Sequence, residues 1–100
     1  MLTILQTDEF DGWLRRLKDP IAIARIVARL RSAQYGNFGD CKSVAPGISE
    51  MRIHVGPGYR LYYARKESVI YVMLCGGSKS SQTRDIHRAV RILAQLGNLP

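Results

Sequence analysis

Five side chains between residues 48 and 82 are of types that suit phosphate chemistry: Glu50, Arg52, His54, Arg60 and Lys79. Because residues two apart share one face of a strand, the first three are predicted to lie together on one strand. Arg60 follows a short turn and should lie across from them on the next strand, while Lys79 follows the last strand. Guanidinium groups bind phosphate through two hydrogen bonds, and a lysine adds a point charge. The set therefore predicts a cation-rich surface that binds phosphate.

Two residues of this set are candidates for proton transfer. Imidazole changes its charge close to physiological pH, so His54 is a candidate general base or general acid. Three roles are open to Glu50: it could orient His54, neutralise an arginine, or act as the base itself. Charged residues are also common on the solvated face of an antiparallel sheet that binds nothing. The residue types alone leave both interpretations open.

Further residues are candidates for contacts to RNA. Aromatic faces stack on unpaired bases, and Tyr62 is predicted to share the strand face of Arg60. Arg25 and Arg29 on the polar face of the second predicted helix, and Arg84 on the last, could contact a nucleic-acid backbone. A solvated helix face explains these arginines equally well.

Neither glycine-rich segment matches a nucleotide-binding loop. Residues 56–58 and 76–79 lack the glycine–lysine spacing of a Walker A loop, so both are predicted to be turns or loops. The glycines at 76 and 77 are predicted to end a strand and to let the backbone approach a ligand closely. The two cysteines and two histidines lack the spacing of zinc ligands, and we expect no metal and no cofactor.

Composition favours one globular domain, residues 1–100, with 46% hydrophobic and 23% charged residues. The formal net charge of +7 indicates an acidic partner: nucleic acid, an anionic membrane or an acidic protein. No apolar run approaches the roughly 18 residues of a spanning helix, and the cation-rich surface suits phosphate chemistry better than a membrane, so no membrane partner is expected. No basic leader precedes the short apolar N-terminus, so Cys41 and Cys75 are predicted to be reduced thiols of a cytoplasmic protein.

Hydrophobic periodicity predicts the order strand, helix, helix, three or four antiparallel strands, helix. Asp8, Asp19 followed by Pro20, and Ser80 or Ser81 are the predicted helix starts. Residues 69–75 are nearly all apolar, which indicates a strand buried on both faces. The first strand precedes both early helices and must therefore return to the sheet, beside the last strand. The predicted class is α+β.

Several segments together resemble the RelE/ParE toxin superfamily, in particular its short addiction-module killer proteins, which are related to HigB and to phage Gp49-like proteins. They span nearly the whole chain, and the most specific are GPGYRLYY at 56–63 and GGSKSSQ at 76–82. The other matching residues and segments are Phe10, 13–14, 17–19, 24–26, 29–30, 36–40, Lys42, 50–53, 74–75 and 85–86.

The resemblance implies a RelE-like fold, an antiparallel sheet packed with an N-terminal helical hairpin and a C-terminal helix. By the same resemblance Arg60 matches the family arginine after Gly-Tyr, and Arg52 and His54 lie on the strand that supplies basic catalytic residues in RelE-like members. Lys79 falls in the loop before the final helix, where those enzymes also place functional groups. The chain lacks the lysine pair of RelE and its C-terminal tyrosine, so the acid and the base remain unassigned.

The resemblance also implies a type II toxin that is neutralised by a small antitoxin, expected to be a helix-turn-helix protein encoded next to it. Members like RelE and HigB cut mRNA on the ribosome without a metal, whereas members like ParE inhibit DNA gyrase. We predict an mRNA endoribonuclease that acts on the ribosome. The alternative is a gyrase inhibitor, which would have no catalytic residues.

Overall fold

A five-stranded mixed sheet forms the centre of the computed structural model, which describes residues 1–97. The strands are β1 (Thr3–Gln6), β2 (Cys41–Ala45), β3 (Ile48–Ile53), β4 (Tyr59–Glu67) and β5 (Ile70–Ser78). In space they follow the order β1-β5-β4-β3-β2. The predicted return of the first strand to the side of the last is confirmed. The prediction of an antiparallel sheet is wrong for this one pair, because β1 runs parallel to β5.

Helices cover both faces of this sheet. They are α1 (Asp8–Arg16), α2 (Pro20–Gln34) and α3 (Gln82–Gly97), with a 3-10 turn at Lys79–Ser81 before the last one. The early helices α1 and α2 pack on one face, and α3 packs on the other. This is an α+β domain, as predicted. No helix within residues 1–97 is both long and apolar enough to cross a membrane.

All three helices begin within one residue of the predicted starts, but the predicted capping side chain is found only for α2. Asp19 accepts hydrogen bonds from the backbone N–H groups of Ile21 and Ala22 and caps α2, with Pro20 in the first turn. For α1 the cap is Thr7, whose hydroxyl accepts from an N–H of the first turn, and the predicted cap Asp8 is itself helical. Before α3, the hydroxyl of Ser81 instead donates to the carbonyl of Ser78 and to the carboxylate of Asp85, and the 3-10 turn Lys79–Ser81 precedes the helix.

Two hydrophobic cores lie on the two faces of the sheet. The core under α1 and α2 contains Phe10, Ile26, Met51, Leu61 and Met73, and the core under α3 contains Ile48, Tyr62, Leu74, Ala89 and Ile92. The strand β5 lies between β1 and β4 and is buried on both faces, as predicted from its apolar run. Residues of β3 and β4 that sequence reasoning placed on an open polar face therefore lie partly beneath α3.

The predicted loop at residues 76–79 is wrong, because β5 continues through both glycines to Ser78. A β-carbon on Gly76 would overlap the ring of Trp13 from α1, and one on Gly77 would overlap the carboxylate of Asp85 from α3. The glycines are therefore explained by side chains that pack directly on the strand backbone from both faces, and no ligand is needed to account for them.

The two cysteines are free thiols on different strands, Cys41 exposed on β2 and Cys75 buried on β5. Burial raises the pKa of the Cys75 thiol to about 11. Because the thiolate is the reactive form, Cys75 is a packing residue at neutral pH.

Candidate phosphate-binding site

The register of β3 against β4 brings two arginines side by side. Arg52 is directly opposite Arg60 in this antiparallel pair, and Arg60 is opposite Gly77 of β5 on its other side. The sequence prediction that the two arginines face each other across neighbouring strands is confirmed. Two guanidinium groups at adjacent positions repel each other unless a negative charge lies between them.

That negative charge is Glu50, which shares the strand face of Arg52. Its Oε2 lies 3.6 Å from Nε of Arg60 and 4.0 Å from Nε of Arg52. Its Oε1 accepts a hydrogen bond of 2.8 Å from the side-chain amide of Gln82, in the first turn of α3. The carboxylate thus accepts a hydrogen bond from Gln82 and lies within ion-pair distance of both arginines, whose Nε atoms make no hydrogen bond within residues 1–97.

The burial of Arg60 and Glu50 corrects two expectations from the sequence. Arg60 is only 7% exposed, where a solvated strand face was predicted, because the first turn of α3 lies over this part of the sheet. Glu50 is 1% exposed, so its carboxylate is not accessible to the hydroxyl of a substrate. Of the three roles open to Glu50, its geometry matches the neutralisation of arginines.

Lys79 lies beside the turn that precedes Arg60. Its backbone N–H donates a 2.7 Å hydrogen bond to the carbonyl of Gly58, which joins the turn after β5 to the turn before β4. A β-carbon on Gly58 would lie 3.5 Å from Cβ of Lys79 and 3.9 Å from Nη1 of Arg60. Both cationic side chains therefore flank the same stretch of backbone, and Lys79 is exposed to solvent there.

His54 follows β3 and is 68% exposed. Its Nε2 lies 2.6 Å from Oδ2 of Asp40, and Oδ1 of the same carboxylate lies 3.1 Å from Nη2 of Arg52. Asp40 therefore links the imidazole to the arginine pair. Sequence reasoning treated this residue only as part of a turn and of the resemblance, and its position directly before β2 gave no sign of the contact.

Arg29 holds the segment 38–40 in place beside β3. Its guanidinium on α2 donates to the carbonyl oxygens of Arg52, Phe38 and Asp40, at 2.8, 2.9 and 3.1 Å. The sequence proposed Arg29 as an RNA contact, but at least three of its hydrogen bonds are made within the protein. Its observed contacts serve to position the backbone that carries Asp40 and Arg52.

Acidification is expected to remove the stabilisation that Asp40 provides. The hydrogen bond to His54, assisted by the charge of Arg52, holds the pKa of Asp40 below its usual 3.8, although partial desolvation opposes the shift. A carboxylate with a lowered pKa stabilises the fold above its unfolded pKa, and this contribution is lost as the pH falls through the folded pKa.

Melting temperatures of the wild type and of Asp40→Asn, followed by circular dichroism from neutral to strongly acidic pH, test this. We expect the wild type to melt higher near neutrality and the difference to shrink once the pH falls below about 4. A difference that stays constant in acid would show that the Asp40 carboxylate contributes nothing through its charge.

The remaining predicted RNA contacts do not form one surface. Tyr62 is fully buried between the sheet and α3, so the prediction of an exposed ring for stacking is wrong. Burial raises the pKa of its hydroxyl, which has no hydrogen-bond partner among residues 1–97. Arg25 and Arg84 are exposed, but they lie on α2 and α3 and hence on helices that cover opposite faces of the sheet.

A second buried acid fixes the start of α3. Asp85 is 2% exposed and accepts hydrogen bonds from the hydroxyl of Ser81 and, at 3.0 Å, from Nη2 of Arg88. Arg88 also donates to the carbonyl of Gly76. These contacts anchor the helix that carries Gln82 onto β5. Sequence reasoning missed Gln82 and Asp85 as parts of the site, since both look like ordinary residues of a polar first turn.

Comparison with known proteins finds a relative that matches nearly the whole chain. No family model matches the chain. An uncharacterized protein of Haemophilus influenzae is 47% identical over 96 residues, which cover 96% of this chain and 97% of that protein. The similarity extends over almost the full length of both.

Proposed function

The chain belongs to the same family as the uncharacterized Haemophilus influenzae protein, and we propose that it is a cytoplasmic RelE-like toxin of a type II toxin–antitoxin module. As such a toxin, the protein would cut mRNA on the ribosome without a metal ion. The observation that supports it best is the cross-strand pair of Arg52 and Arg60, paired with the buried carboxylate of Glu50 and flanked by Lys79. The partly exposed Arg52 and the nearly buried Arg60 place positive charge beside Lys79, which suits an anion such as a phosphate group.

Cleavage of RNA without a metal requires charge stabilisation at phosphorus. When O2′ attacks, the P–O2′ bond forms, the P–O5′ bond breaks, and negative charge collects on the phosphoryl oxygens. Guanidinium donors that are fixed before the reaction stabilise this charge without reorganisation, which is commonly the largest contribution to such catalysis. Arg52 and Arg60 would supply these donors, and Lys79 would hold the phosphate from the solvent side.

The same reaction requires a base for the O2′ proton. His54 is the best-placed candidate, because it is exposed and lies one carboxylate away from Arg52. Its Nε2 is held by Asp40, which leaves Nδ1 to accept the proton. The group that protonates the leaving O5′ is not assigned. The net charge of +7 favours an approach to the polyanionic surface of the ribosome, and an antitoxin encoded next to the toxin would prevent it.

Mapping the 5′ ends of mRNA on translating ribosomes after induced expression tests the proposal. We expect new ends inside reading frames together with growth arrest. His54→Gln should reduce cleavage by about a hundredfold, the usual contribution of a positioned general base. Arg31→Ala is the control, because this exposed arginine lies on α2, across the sheet from the arginine pair, and is not among the predicted RNA contacts, so cleavage should be unchanged.

Growth arrest with intact mRNA would contradict the ribonuclease proposal. Inhibition of DNA supercoiling in that case would support the alternative, a gyrase inhibitor.

A further inference from the structure

An aromatic cluster lies beyond the end of α2, on the face of the sheet that α1 and α2 cover. It consists of Phe38, Tyr63 and Tyr71, whose ring centroids are 4.8 to 6.3 Å apart. Tyr63 is buried, whereas Phe38 and Tyr71 are half-buried. A pocket of about 390 Å³ beside the rings opens to solvent. Because the rings contact one another, a ligand would lie on the outer surface of the cluster and not between them.

The ring of Phe38 is held in position through its backbone. Arg29 donates a 2.9 Å hydrogen bond to its carbonyl oxygen, and Oδ1 of Asn37 accepts one of 3.0 Å from the N–H of Gly39. Gly36 and Gly39, on either side, have φ angles of 87° and 65°, which favour glycine. The aromatic surface therefore exists before a ligand arrives, and little ordering is needed on binding.

Charge decides what kind of ligand suits the pocket. Aromatic clusters often bind cations through their ring faces. Here the lining carries the guanidinium of Arg65 and, within residues 1–97, no carboxylate. Burial raises the pKa of Tyr63, so this phenol also adds no negative charge at neutral pH. The pocket therefore suits a planar group that is joined to an anion.

Arg65 is placed to contact such an anion. Its Nε and Nη2 donate to the carbonyl oxygens of Glu67 and Ser68, at 3.4 and 3.3 Å, and these bonds leave Nη1 for a ligand. The side chain is exposed at the edge of the pocket. A guanidinium next to aromatic faces is a common arrangement for binding a base and its phosphate.

We propose that this pocket binds an unpaired nucleotide of a single-stranded nucleic acid. The base would stack on Phe38 and Tyr71, and a neighbouring phosphate would contact Arg65. Ser49, directly opposite Tyr63 on β3, lines the pocket and offers a hydroxyl to the edge of the base. Because the pocket opens to solvent, the strand can continue on either side of the bound nucleotide.

The inference goes beyond RNA cleavage and does not rest on it. Glu50 and Arg60 lie beneath α3, whereas Tyr63 belongs to the core under α1 and α2, on the opposite face of the sheet. A base in the pocket would therefore not occupy the arginine pair. Deoxyribonucleotides lack O2′, so they allow binding to be measured without cleavage.

An unlabelled octamer of deoxythymidylate is the probe, and isothermal titration calorimetry with the full chain measures its affinity. The control octamer has the same phosphates but abasic sugars. We expect the octamer with bases to bind at least about fivefold more tightly, the lower range for stacking of one base. Tyr71→Leu, which keeps an apolar side chain, should remove most of this difference and leave binding of the abasic octamer unchanged.

Tyr35→Leu is the matched control variant. Tyr35 is 75% exposed and does not line the pocket, so its substitution should change affinity for the probe by less than about twofold. A second comparison uses charge. Arg65→Gln should lower the slope of log affinity against log salt concentration by about 0.7, the value for one phosphate contact to a single strand. Lys66→Gln should not change the slope, because Lys66 does not line the pocket.

The wild-type chain contains its own reporter of binding at this position. Cys41 is exposed and lines the pocket, whereas Cys75 is buried with a raised pKa, so iodoacetamide should alkylate Cys41 alone at neutral pH. The octamer with bases, at about ten times its dissociation constant, should slow this alkylation at least about fivefold, because roughly nine-tenths of the chain is then occupied. Mass spectrometry measures the rate.

Three kinds of result would overturn the proposal. The first is equal affinity of the two octamers, equal losses in Tyr71→Leu and Tyr35→Leu, or unchanged alkylation of Cys41. The second is binding of thymidine monophosphate as tightly as the octamer, which would assign the pocket to a free nucleotide. The third is protection of Cys41 that increases with protein concentration in the absence of nucleic acid, which would place a second copy of the chain there.

Discussion

The Arg60→Ala variant is expected to lose RNA cleavage and, at the same time, roughly 3 kcal/mol of folding stability. The loss of stability follows from Glu50, which is 1% exposed and whose Oε2 would lose the closer of its two arginine partners. A buried carboxylate that loses such a partner is strongly unfavourable. The loss of cleavage follows from the removal of a fixed donor, which reduces the rate by roughly a hundredfold or more. This single variant therefore cannot separate the two effects.

A double variant separates them. Glu50→Gln combined with Arg60→Met removes both buried charges, and the amide at position 50 still offers an oxygen to Gln82. Replacement of a buried ion pair by neutral side chains of similar size is often close to neutral, so we expect stability within about 1.5 kcal/mol of the wild type. Cleavage should remain at least about a hundredfold reduced, because the charge stabilisation is absent.

Urea unfolding and mRNA cleavage measured on the same preparations decide the role of Arg60. A stable double variant that cleaves at the wild-type rate would show that Arg60 is a structural residue. Arg60→Lys adds a finer comparison: it keeps the charge near Glu50 but lacks the planar fork, so a loss of cleavage with retained stability would indicate contact through two hydrogen bonds.

The positions of the two arginines could be predicted from the sequence because they depend on local pattern. Alternating apolar residues define both strands, and the glycines at 56 and 58 define the turn between them, each with positive φ. A turn of fixed length sets the strand register, and the register places Arg52 opposite Arg60. The buried β5 and the capped start of α2 at Asp19 follow from the same kind of short-range signal.

The surroundings of the arginines could not be predicted in this way, since they depend on where α3 lies on the sheet. Periodicity identifies the polar face of a strand but not whether a distant helix covers it, and α3 covers Tyr62, Glu50 and Arg60. The link from His54 through Asp40 to Arg52 depends likewise on a segment that Arg29 fixes from α2. Contacts between residues far apart in the chain carry no periodic signal.

Gly77→Ala is expected to destabilise the protein by about 3 kcal/mol, the upper range for insertion of a methyl group into a packed site. Its β-carbon would overlap the carboxylate of Asp85, which Ser81 and Arg88 hold in place. The φ angle of Gly77 is not positive, so the loss would come from this overlap alone. Gly97→Ala is the control, because no side chain within residues 1–97 lies within 4 Å of its new β-carbon, and it should be neutral or slightly stabilising.

A double-mutant cycle with Asp85→Ala tests the cause. If the overlap is responsible, Gly77→Ala should be less harmful when the carboxylate is already absent, with a coupling energy of at least about 1 kcal/mol. The sequence suggested instead that this glycine admits a ligand, in which case Gly77→Ala would melt like the wild type and lose only activity. Because Gly77 is opposite Arg60 and Asp85 anchors the helix that carries Gln82, the overlap should also disturb the contact between Gln82 and Glu50. Thermal melting of the four proteins of the cycle distinguishes the two explanations, and additive losses would refute ours.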